Sequence, residues 1–346
     1  MEEVSHLMDN DTNEVTVAPD IGATFVDNVL PIIYAFIGVF GMIGNGLVCV
    51  TFWIKRRTFG SVTNLLILNQ SMIDLIDSFL FLILRLGPQF SKRGDGDVVT
   101  ELACRLWFSE YIMWSLFIAS TVNLLFVSLE RYFAICHAVR HRSLITTRRA
   151  NIARLLAWII GFSYQSYWAA LHQVTYGQCY AVWPSPAAQA VGGTVFFCCE
   201  YLIPLSIMTF SYANIIITLR SRSKRDNANV NTFQRAKRNV TFTLCFVFVS
   251  YTVCWTPTEF AYLLYNMGND YDFSSSMHFT FTVFVLLNMC INPLIYLFKY
   301  KRFQGELRKL FCRCVRSNKV GGAVITVAPV VSTANVAGIS KGPWGV

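Results

Sequence analysis

Long apolar stretches with few or no charged residues recur seven times along the chain, each close to 20 residues long. A helix of about 20 apolar residues covers the roughly 30 Å of hydrocarbon in a bilayer. The apolar positions run continuously rather than alternating with polar ones, which favours helices over a membrane β-barrel. The pattern predicts an all-α membrane protein, a seven-transmembrane helix bundle with the spans Val29–Trp53, Val62–Leu84, Phe108–Val127, Ile152–Leu171, Gly192–Thr218, Val240–Leu264 and Met277–Phe298.

Composition and charge support a membrane protein and predict its orientation. Of 346 residues, 54% are hydrophobic and 14% are charged, whereas soluble domains are typically about 25% charged. The net charge of +9 would suit a nucleic-acid-binding protein, but most basic residues lie in the first, third and fifth connections and after the seventh span. Because cytoplasmic loops carry the excess of lysine and arginine, we expect a multi-pass plasma-membrane protein with an extracellular N-terminus. Membrane lipids are then expected partners, and nucleic acids are not.

The two ends of the chain carry candidate modification sites. Residues 1–28 contain seven acidic and no basic residues and form the predicted extracellular N-terminus, in which Asn10 begins the glycosylation sequon Asn10-Asp11-Thr12. Cys312 and Cys314 follow the last span among basic residues, which makes them candidates for palmitoylation. Residues 314–346 are predicted to be a disordered cytoplasmic tail.

The cysteines predict one disulfide. Most of the eleven lie inside the apolar stretches, where cysteine behaves as a small apolar residue. Cys104 and Cys179 lie outside them, near span ends on the predicted extracellular side, where the environment is oxidising. We therefore expect them to pair and to hold the loop 172–191 over the top of the third span.

Prolines inside the spans indicate helices that can move about a kink, and polar residues inside the spans indicate a buried polar site. Pro204, Pro257 and Pro293 each remove a backbone donor from one of the last three spans, which kinks a helix. Asp74 lies in mid-span, where a charge is costly, and neutral polar residues lie at similar predicted depth: Asn45, Ser120, Asn288, Asn292 and Trp255. Two interpretations stay open: a site for a small cation or a proton, and a hydrogen-bonded cluster that joins helices.

Taken in order, the motifs resemble the rhodopsin-like class of G-protein-coupled receptors over about residues 29–313. The matching residues are Gly44-Asn45, Leu68 with Asp74-Leu75, Cys104, Glu130-Arg131-Tyr132, Trp158, Pro204 with Tyr212, Cys254-Trp255-Thr256-Pro257 and Asn292-Pro293-Leu294-Ile295-Tyr296. Each motif is weak alone, but their order and spacing make coincidence negligible. The resemblance implies that a seven-span bundle at residues 29–299 is followed by a short amphipathic eighth helix at residues 300–313.

The resemblance also implies a switch and an ion site. Arg131, flanked by Glu130 and Tyr132, looks like the arginine that is held at rest and engages a heterotrimeric G protein when active. Tyr212 and Tyr296 resemble the tyrosines that meet near it when the sixth helix swings out. Trp255 is similar to the toggle at the pocket floor, with Pro204, Pro257, Asn292 and Pro293 as hinge elements. Arrestin is a further expected partner. No organic cofactor is expected. The resemblance does imply an allosteric sodium ion, with a site formed by Asp74, Ser120, Asn288, Asn292 and Asn45.

The ligand class follows from the same comparison of positions. Amine receptors carry an aspartate where counting places Met113 or Tyr111 here, and opsins carry a lysine where this chain has Leu286. Neither class therefore fits. The segment Gln178–Pro184 resembles the Cys-x-x-x-Trp-Pro stretch of somatostatin-like receptors, so the chain looks most like the somatostatin- and galanin-like neuropeptide receptors.

A peptide is accordingly the expected ligand. The predicted outer surface is rich in acids that would attract a basic ligand, and the expected pocket residues are Glu110, Met113, Glu200, Trp255 and Glu259. A receptor for a lipid or another non-amine small molecule is the alternative, and an ion-coupled transporter using Asp74 is a further one, although no internal repeat is visible. An enzyme is not expected, because no nucleophile–base or metal-spaced cluster occurs.

Overall fold

A computed structural model describes residues 29–87, 97–225, 232–273 and 275–320, excluding the side chains of 223–225, 232–237 and 311–320. Asn10 lies outside these residues, as do the side chains of Cys312 and Cys314 and residues 321–346. Seven helices correspond to the seven predicted spans, which confirms the predicted fold class. They are α1 (Leu30–Ile54), α2 (Val62–Leu86), α3 (Tyr111–Cys136), α4 (Thr147–Tyr164), α5 (Ile203–Arg225), α6 (Thr232–Asn266) and α7 (Ser276–Lys299).

Within the described residues, six helices are long and apolar enough to cross a membrane, and α4 is the shorter and more polar exception. Many large apolar side chains point away from the protein, including Phe36, Trp53 and Phe298 with 69–70% of their surface exposed. A soluble domain rarely exposes so much contiguous apolar surface, so this outer surface fits a lipid environment.

The third span differs most from its predicted bounds. A short helix, Val98–Ala103, and a π-helical turn, Cys104–Phe108, precede α3, and Glu110 adopts a left-handed conformation (φ 58°) just before Tyr111. At the other end the helix continues to Cys136, nine residues beyond the predicted span end at Val127 and past the charged pair Glu130-Arg131. The charges of this pair are buried against each other, as described below, and so do not end the helix.

Close packing around α3 centres the bundle. Ile73 of α2 packs with Leu116 and Ala119 of α3, and Trp158 of α4 covers this cluster. A Cβ atom at Gly161 would lie against the Ser115 carbonyl oxygen and 2.9 Å from the Ala119 Cβ. Glycine at this position therefore allows α4 to approach α3 closely.

A β-hairpin connects α4 to the fifth span. Ser166–Leu171 forms a short helix, after which β1 (His172–Thr175) pairs antiparallel with β2 (Gln178–Ala181), with His172 opposite Ala181. Tyr176 and Gly177 in the turn both have positive φ, as a two-residue hairpin of type I′ requires. Cys179 on β2 is bonded to Cys104, which confirms the predicted disulfide.

The fifth span is interrupted near its start. A helix at Pro186–Phe196 leads into a π-helical segment, Phe197–Leu202, which leads into α5. Pro204 lies at the second position of α5, directly after this segment. Because proline has no backbone N–H to donate, the wider turn absorbs the loss of a hydrogen bond.

The last described helix is α8 (Lys301–Val320), which is longer than the amphipathic helix predicted at residues 300–313. Phe303 is buried, with its ring 6.0 Å from that of Phe52, and Lys55 forms a 3.5 Å ion pair with Glu306. The residues from Leu307 onward form a separate unit, whose described part is the rest of α8.

Candidate functional site

The predicted functional residues lie in three layers. We call the end of the bundle that carries the hairpin the outer end, and the end that carries Glu130 and Arg131 the inner end.

At the inner end, Glu130 and Arg131 form a two-point ion pair. Arg131 Nε donates to Glu130 Oε2 and Arg131 Nη2 donates to Glu130 Oε1, each at 2.6 Å. Both residues are buried, with 4% and 6% of their surface exposed. Paired hydrogen bonds of this kind are among the strongest between side chains, so the charge of the guanidinium is compensated by its neighbour.

Two residues that sequence reasoning missed complete this pair. The Thr63 hydroxyl, at the inner end of α2, donates to Glu130 Oε2 at 3.0 Å and accepts from Arg131 Nη2. His141, on the short helix Ala138–Leu144, lies with its Nε2 3.0 Å from Glu130 Oε1. We call Thr63, Glu130, Arg131 and His141 the inner latch. It joins α2, α3 and the following connection through one carboxylate.

The other predicted switch residues lie near the latch but do not bond to it in the described structure. The Tyr132 hydroxyl lies 3.0 Å from His137 Nε2. Tyr212 is buried and stacks on Phe248 of α6, with ring centroids 5.2 Å apart. Tyr296 is buried in α7. Among the described residues, neither Tyr212 nor Tyr296 has a hydrogen bond to Arg131. The arginine is therefore held by the latch, and the tyrosines are separate from it.

An aromatic contact connects the middle of α6 with α3. Trp255 packs edge-on against Phe117, with centroids 5.3 Å apart and planes at 87°, and its other neighbour is Tyr251 at 6.1 Å. Trp255 and Met113 are both nearly fully buried, so they belong to the floor of the outer half rather than to its walls. Pro257 lies inside α6 two residues beyond Trp255.

The polar group around Asp74 forms the middle layer. Asp74 Oδ1 accepts from Ser120 Oγ at 3.3 Å and from Gln70 Nε2 at 3.1 Å, and Oδ2 accepts from Asn292 Nδ2 at 2.9 Å. The structure thus brings together three of the five residues predicted for the ion site. It adds Gln70, which sequence reasoning missed although Gln70 is the middle of three consecutive polar residues, Asn69-Gln70-Ser71, one helical turn before Asp74.

The remaining residues of this layer have other surroundings. Asn45 donates to the carbonyl oxygens of Gly41 (3.0 Å) and Met289 (2.7 Å), which joins α1 to α7. Asn288 is buried, and its Oδ1 has no partner among the described residues. Asp77, three residues beyond Asp74 on α2, is equally buried, and its Oδ1 also lacks a partner there.

At the outer end, Glu110 is already paired. Arg85 Nη2 of α2 lies 2.6 Å from Glu110 Oε1, and the guanidinium lies over the rings of Tyr34 and Phe81 at 5.7 and 5.8 Å. The sequence led us to expect Glu110 as a free acid for a ligand. In the structure its charge is largely compensated by Arg85.

Glu200 and Glu259, unlike Glu110, have no basic side chain as a partner in the described part of the chain. Both are half-buried, one in the π-helical segment before α5 and one in α6, and their charges interact. The Tyr167 hydroxyl donates to Glu200 Oε1 at 3.2 Å, and the Tyr167 ring stacks on Phe196 at 3.7 Å. Within the described part of the chain, neither carboxylate is paired with a basic side chain. They are therefore two neighbouring carboxyl groups without a basic partner among the described residues.

The hairpin and the short helix Ser166–Leu171 before it are held at the outer end by polar contacts besides the disulfide. The backbone N–H of Val174 donates to Glu101 Oε1 at 3.2 Å, and Arg105 Nη1 donates to the Ala170 carbonyl at 3.1 Å. Burial lowers the pKa of His172, at the start of β1, below its ordinary value. These contacts make the hairpin a fixed wall of the outer end.

Comparisons with known proteins agree with this arrangement. A family model described as 7 transmembrane receptor (rhodopsin family) matches residues 44–296. Galanin receptor 2b of Danio rerio is 28% identical over 319 residues, which cover 88% of this chain and 80% of the relative. Allatostatin-A receptor of Bombyx mori is 24% identical over 305 residues, covering 83% and 81%, and neuropeptide Y receptor type 6 of Mus musculus is 25% identical over 310 residues, covering 83% and 81%.

Proposed function

Because the chain belongs to the rhodopsin family of seven-transmembrane receptors, we propose that it binds an extracellular peptide and activates a heterotrimeric G protein. The names of its relatives, which include galanin, allatostatin-A and neuropeptide Y receptors, support a peptide ligand. The proposal takes the outer end of the bundle as extracellular and the inner end as cytoplasmic, as the basic residues of the sequence predict.

The observation that carries the proposal is the inner latch. Arg131 is a buried cation whose charge is compensated by Glu130, with Thr63 and His141 bonded to the same carboxylate. A buried charge can leave one partner only if it gains another. A G protein that offers acceptors to Arg131 would bind the open bundle better than the closed one. It would therefore shift the population toward the open form.

The route from the outer end to the latch runs along α6. Trp255 contacts Phe117 of α3 at the floor of the outer half, and Pro257 interrupts the backbone hydrogen bonds of α6 just above it. A ligand that displaces Trp255 would let the inner half of α6 swing outward about this point. Tyr212, now stacked on Phe248 of α6, would then be free to turn toward Arg131.

Glu200 and Glu259 specify the chemistry of the peptide. Two neighbouring carboxylates without a basic partner favour a ligand that brings a cation, such as an arginine or lysine side chain or an amino terminus. Tyr167 and Phe196, stacked beside Glu200, offer aromatic faces to the same cation.

The test is nucleotide exchange on co-expressed G proteins, measured for the wild type and Arg131→Ala while a library of neuropeptides is screened. We expect at least one basic peptide to stimulate exchange in the wild type and none to do so in Arg131→Ala at equal surface expression. Arg148→Ala, which changes an exposed arginine without a described contact, is the matched control. Nucleotide exchange that responds to lipids but to no peptide would favour the small-molecule alternative. Ion transport without nucleotide exchange on the G protein would contradict the proposal.

A further inference from the structure

The amide of Gln70 lies between the two side chains that would hold a cation. Gln70 Nε2 lies 3.1 Å from Asp74 Oδ1 and 3.4 Å from Oδ2, and it also donates to the Ser120 hydroxyl. All three residues are buried. One neutral NH2 group thus bridges the carboxylate and the hydroxyl.

A one-way chain of hydrogen bonds fixes the direction of this amide. Trp158 Nε1 donates to Asn69 Oδ1 at 3.1 Å, Asn69 Nδ2 donates to Asn123 Oδ1 at 2.9 Å, and Asn123 Nδ2 donates to Gln70 Oε1 at 2.8 Å. An indole N–H can only donate, so each amide in turn presents its oxygen toward Trp158. Gln70 must therefore present its NH2, and not its oxygen, to Asp74.

Three side chains donate hydrogen bonds to the Asp74 carboxylate. A carboxylate offers about four lone-pair positions. Oδ1 of Asp74 accepts from Gln70 and Ser120, and Oδ2 accepts from Asn292 and, more weakly, from Gln70. A cation entering here would meet N–H groups whose partial charge is positive. The donor set therefore does not fit the sodium ion that the sequence resemblance implies.

We propose that the Gln70 amide takes the place of a cation between Asp74 and Ser120, so that this bundle is insensitive to sodium. Among the described residues of this layer, the amide oxygens of Asn45, Asn288 and Asn292 and the Oδ1 atom of Asp77 have no hydrogen-bond partner, and buried water commonly satisfies such groups. The position between Asp74 and Ser120 is nevertheless held by an N–H donor, so a cation could enter it only by displacing the Gln70 amide. The inference concerns the bundle alone and does not depend on the peptide or the G protein.

The test is the thermal unfolding of purified full-length receptor in equal concentrations of sodium, potassium and N-methyl-D-glucamine chloride. A ligand that binds only the folded state raises its unfolding midpoint. We expect the same midpoint for the wild type in all three salts. Gln70→Leu, which replaces the amide by a slightly shorter apolar side chain, should gain a sodium-specific increase on the order of 2–4 °C. That increase should vanish when Asp74→Asn is added.

Each outcome decides the matter. A sodium-specific increase in the wild type would overturn the proposal without any variant. If neither the wild type nor Gln70→Leu responds, the amide is not what excludes the ion, and the proposal also fails. Should Gln70→Leu not fold, Gln70→Met tests the same point, because its side chain has a similar length and no N–H donor.

Discussion

Removing the Thr63 hydroxyl should activate the receptor without ligand. Thr63→Val keeps the shape of the side chain and deletes the oxygen that donates to Glu130 and accepts from Arg131. The deletion leaves the outer half of the bundle unchanged. Any effect on signalling therefore comes from the latch.

The size of the effect follows from the charges involved. Hydrogen bonds to charged groups contribute about 1.5–3 kcal/mol, and Glu130 and Arg131 keep their own two bonds in the variant, so we take the lower end. If the open bundle lacks the Thr63 contact, only the resting state is destabilised. A change of about 1.4 kcal/mol alters an equilibrium constant tenfold. As long as the open form is a small fraction of the receptor, its population should therefore rise about tenfold, and basal nucleotide exchange should rise with it.

The assay is ligand-free nucleotide exchange in membranes, normalised to receptor density. Thr194→Val is the matched control, since the Thr194 hydroxyl bonds only to the Ala190 carbonyl within its own helix at the outer end. Basal exchange in Thr63→Val that equals or falls below that of the wild type would refute the reasoning that the latch restrains Arg131.

Three further predictions test other contacts. His141→Ala should raise basal exchange, by less than Thr63→Val because Glu130 keeps its contacts with Arg131 and Thr63; Ser143→Ala on the same short helix is the control, and a fall in basal exchange would contradict the prediction. Glu200→Gln or Glu259→Gln should lower the affinity for a basic peptide about 30-fold, because the loss of a desolvated charge pair costs about 2 kcal/mol. An equal loss of affinity for a peptide whose basic residue is replaced by norleucine would count against a direct contact. Arg85→Ala should lower the unfolding midpoint of the purified receptor because it leaves Glu110 without its cation; adding Glu110→Gln should recover part of the loss, and no recovery would show that Arg85 acts through packing alone.

The spans could be predicted from the sequence because hydropathy and helix length are constrained by the bilayer itself. The ends of α3 could not. Its uncharged stretch ends before Glu130, yet the helix continues to Cys136 because Glu130 and Arg131 compensate each other's charge in the interior. A hydropathy scale scores each residue separately, so it assigns a burial cost to Glu130 and another to Arg131. In the structure the two side chains form one ion pair, which such a scale does not take into account.

The candidate site shows the same limit more strongly. The motifs singled out Asp74, Arg131 and Trp255, but they gave no sign of the partners that these side chains have in the structure. Gln70 and Thr63 are neutral polar residues with other polar residues beside them, so nothing marks them out, and Arg85 lies 25 residues before Glu110. Their roles come from side-chain contacts between α2 and α3, which spacing along one chain does not contain.

The central claim is that a ligand at the outer end opens the inner end by releasing Arg131. Spin labels on cysteines introduced at Thr147 of α4 and Arg238 of α6, with the native cysteines outside the disulfide replaced, would report the distance between the two inner ends in the purified receptor. We predict that an active peptide together with G protein lengthens this distance, and that Thr63→Val shifts part of the population to the longer distance without ligand. An unchanged distance in a sample whose G protein is being activated would contradict the account.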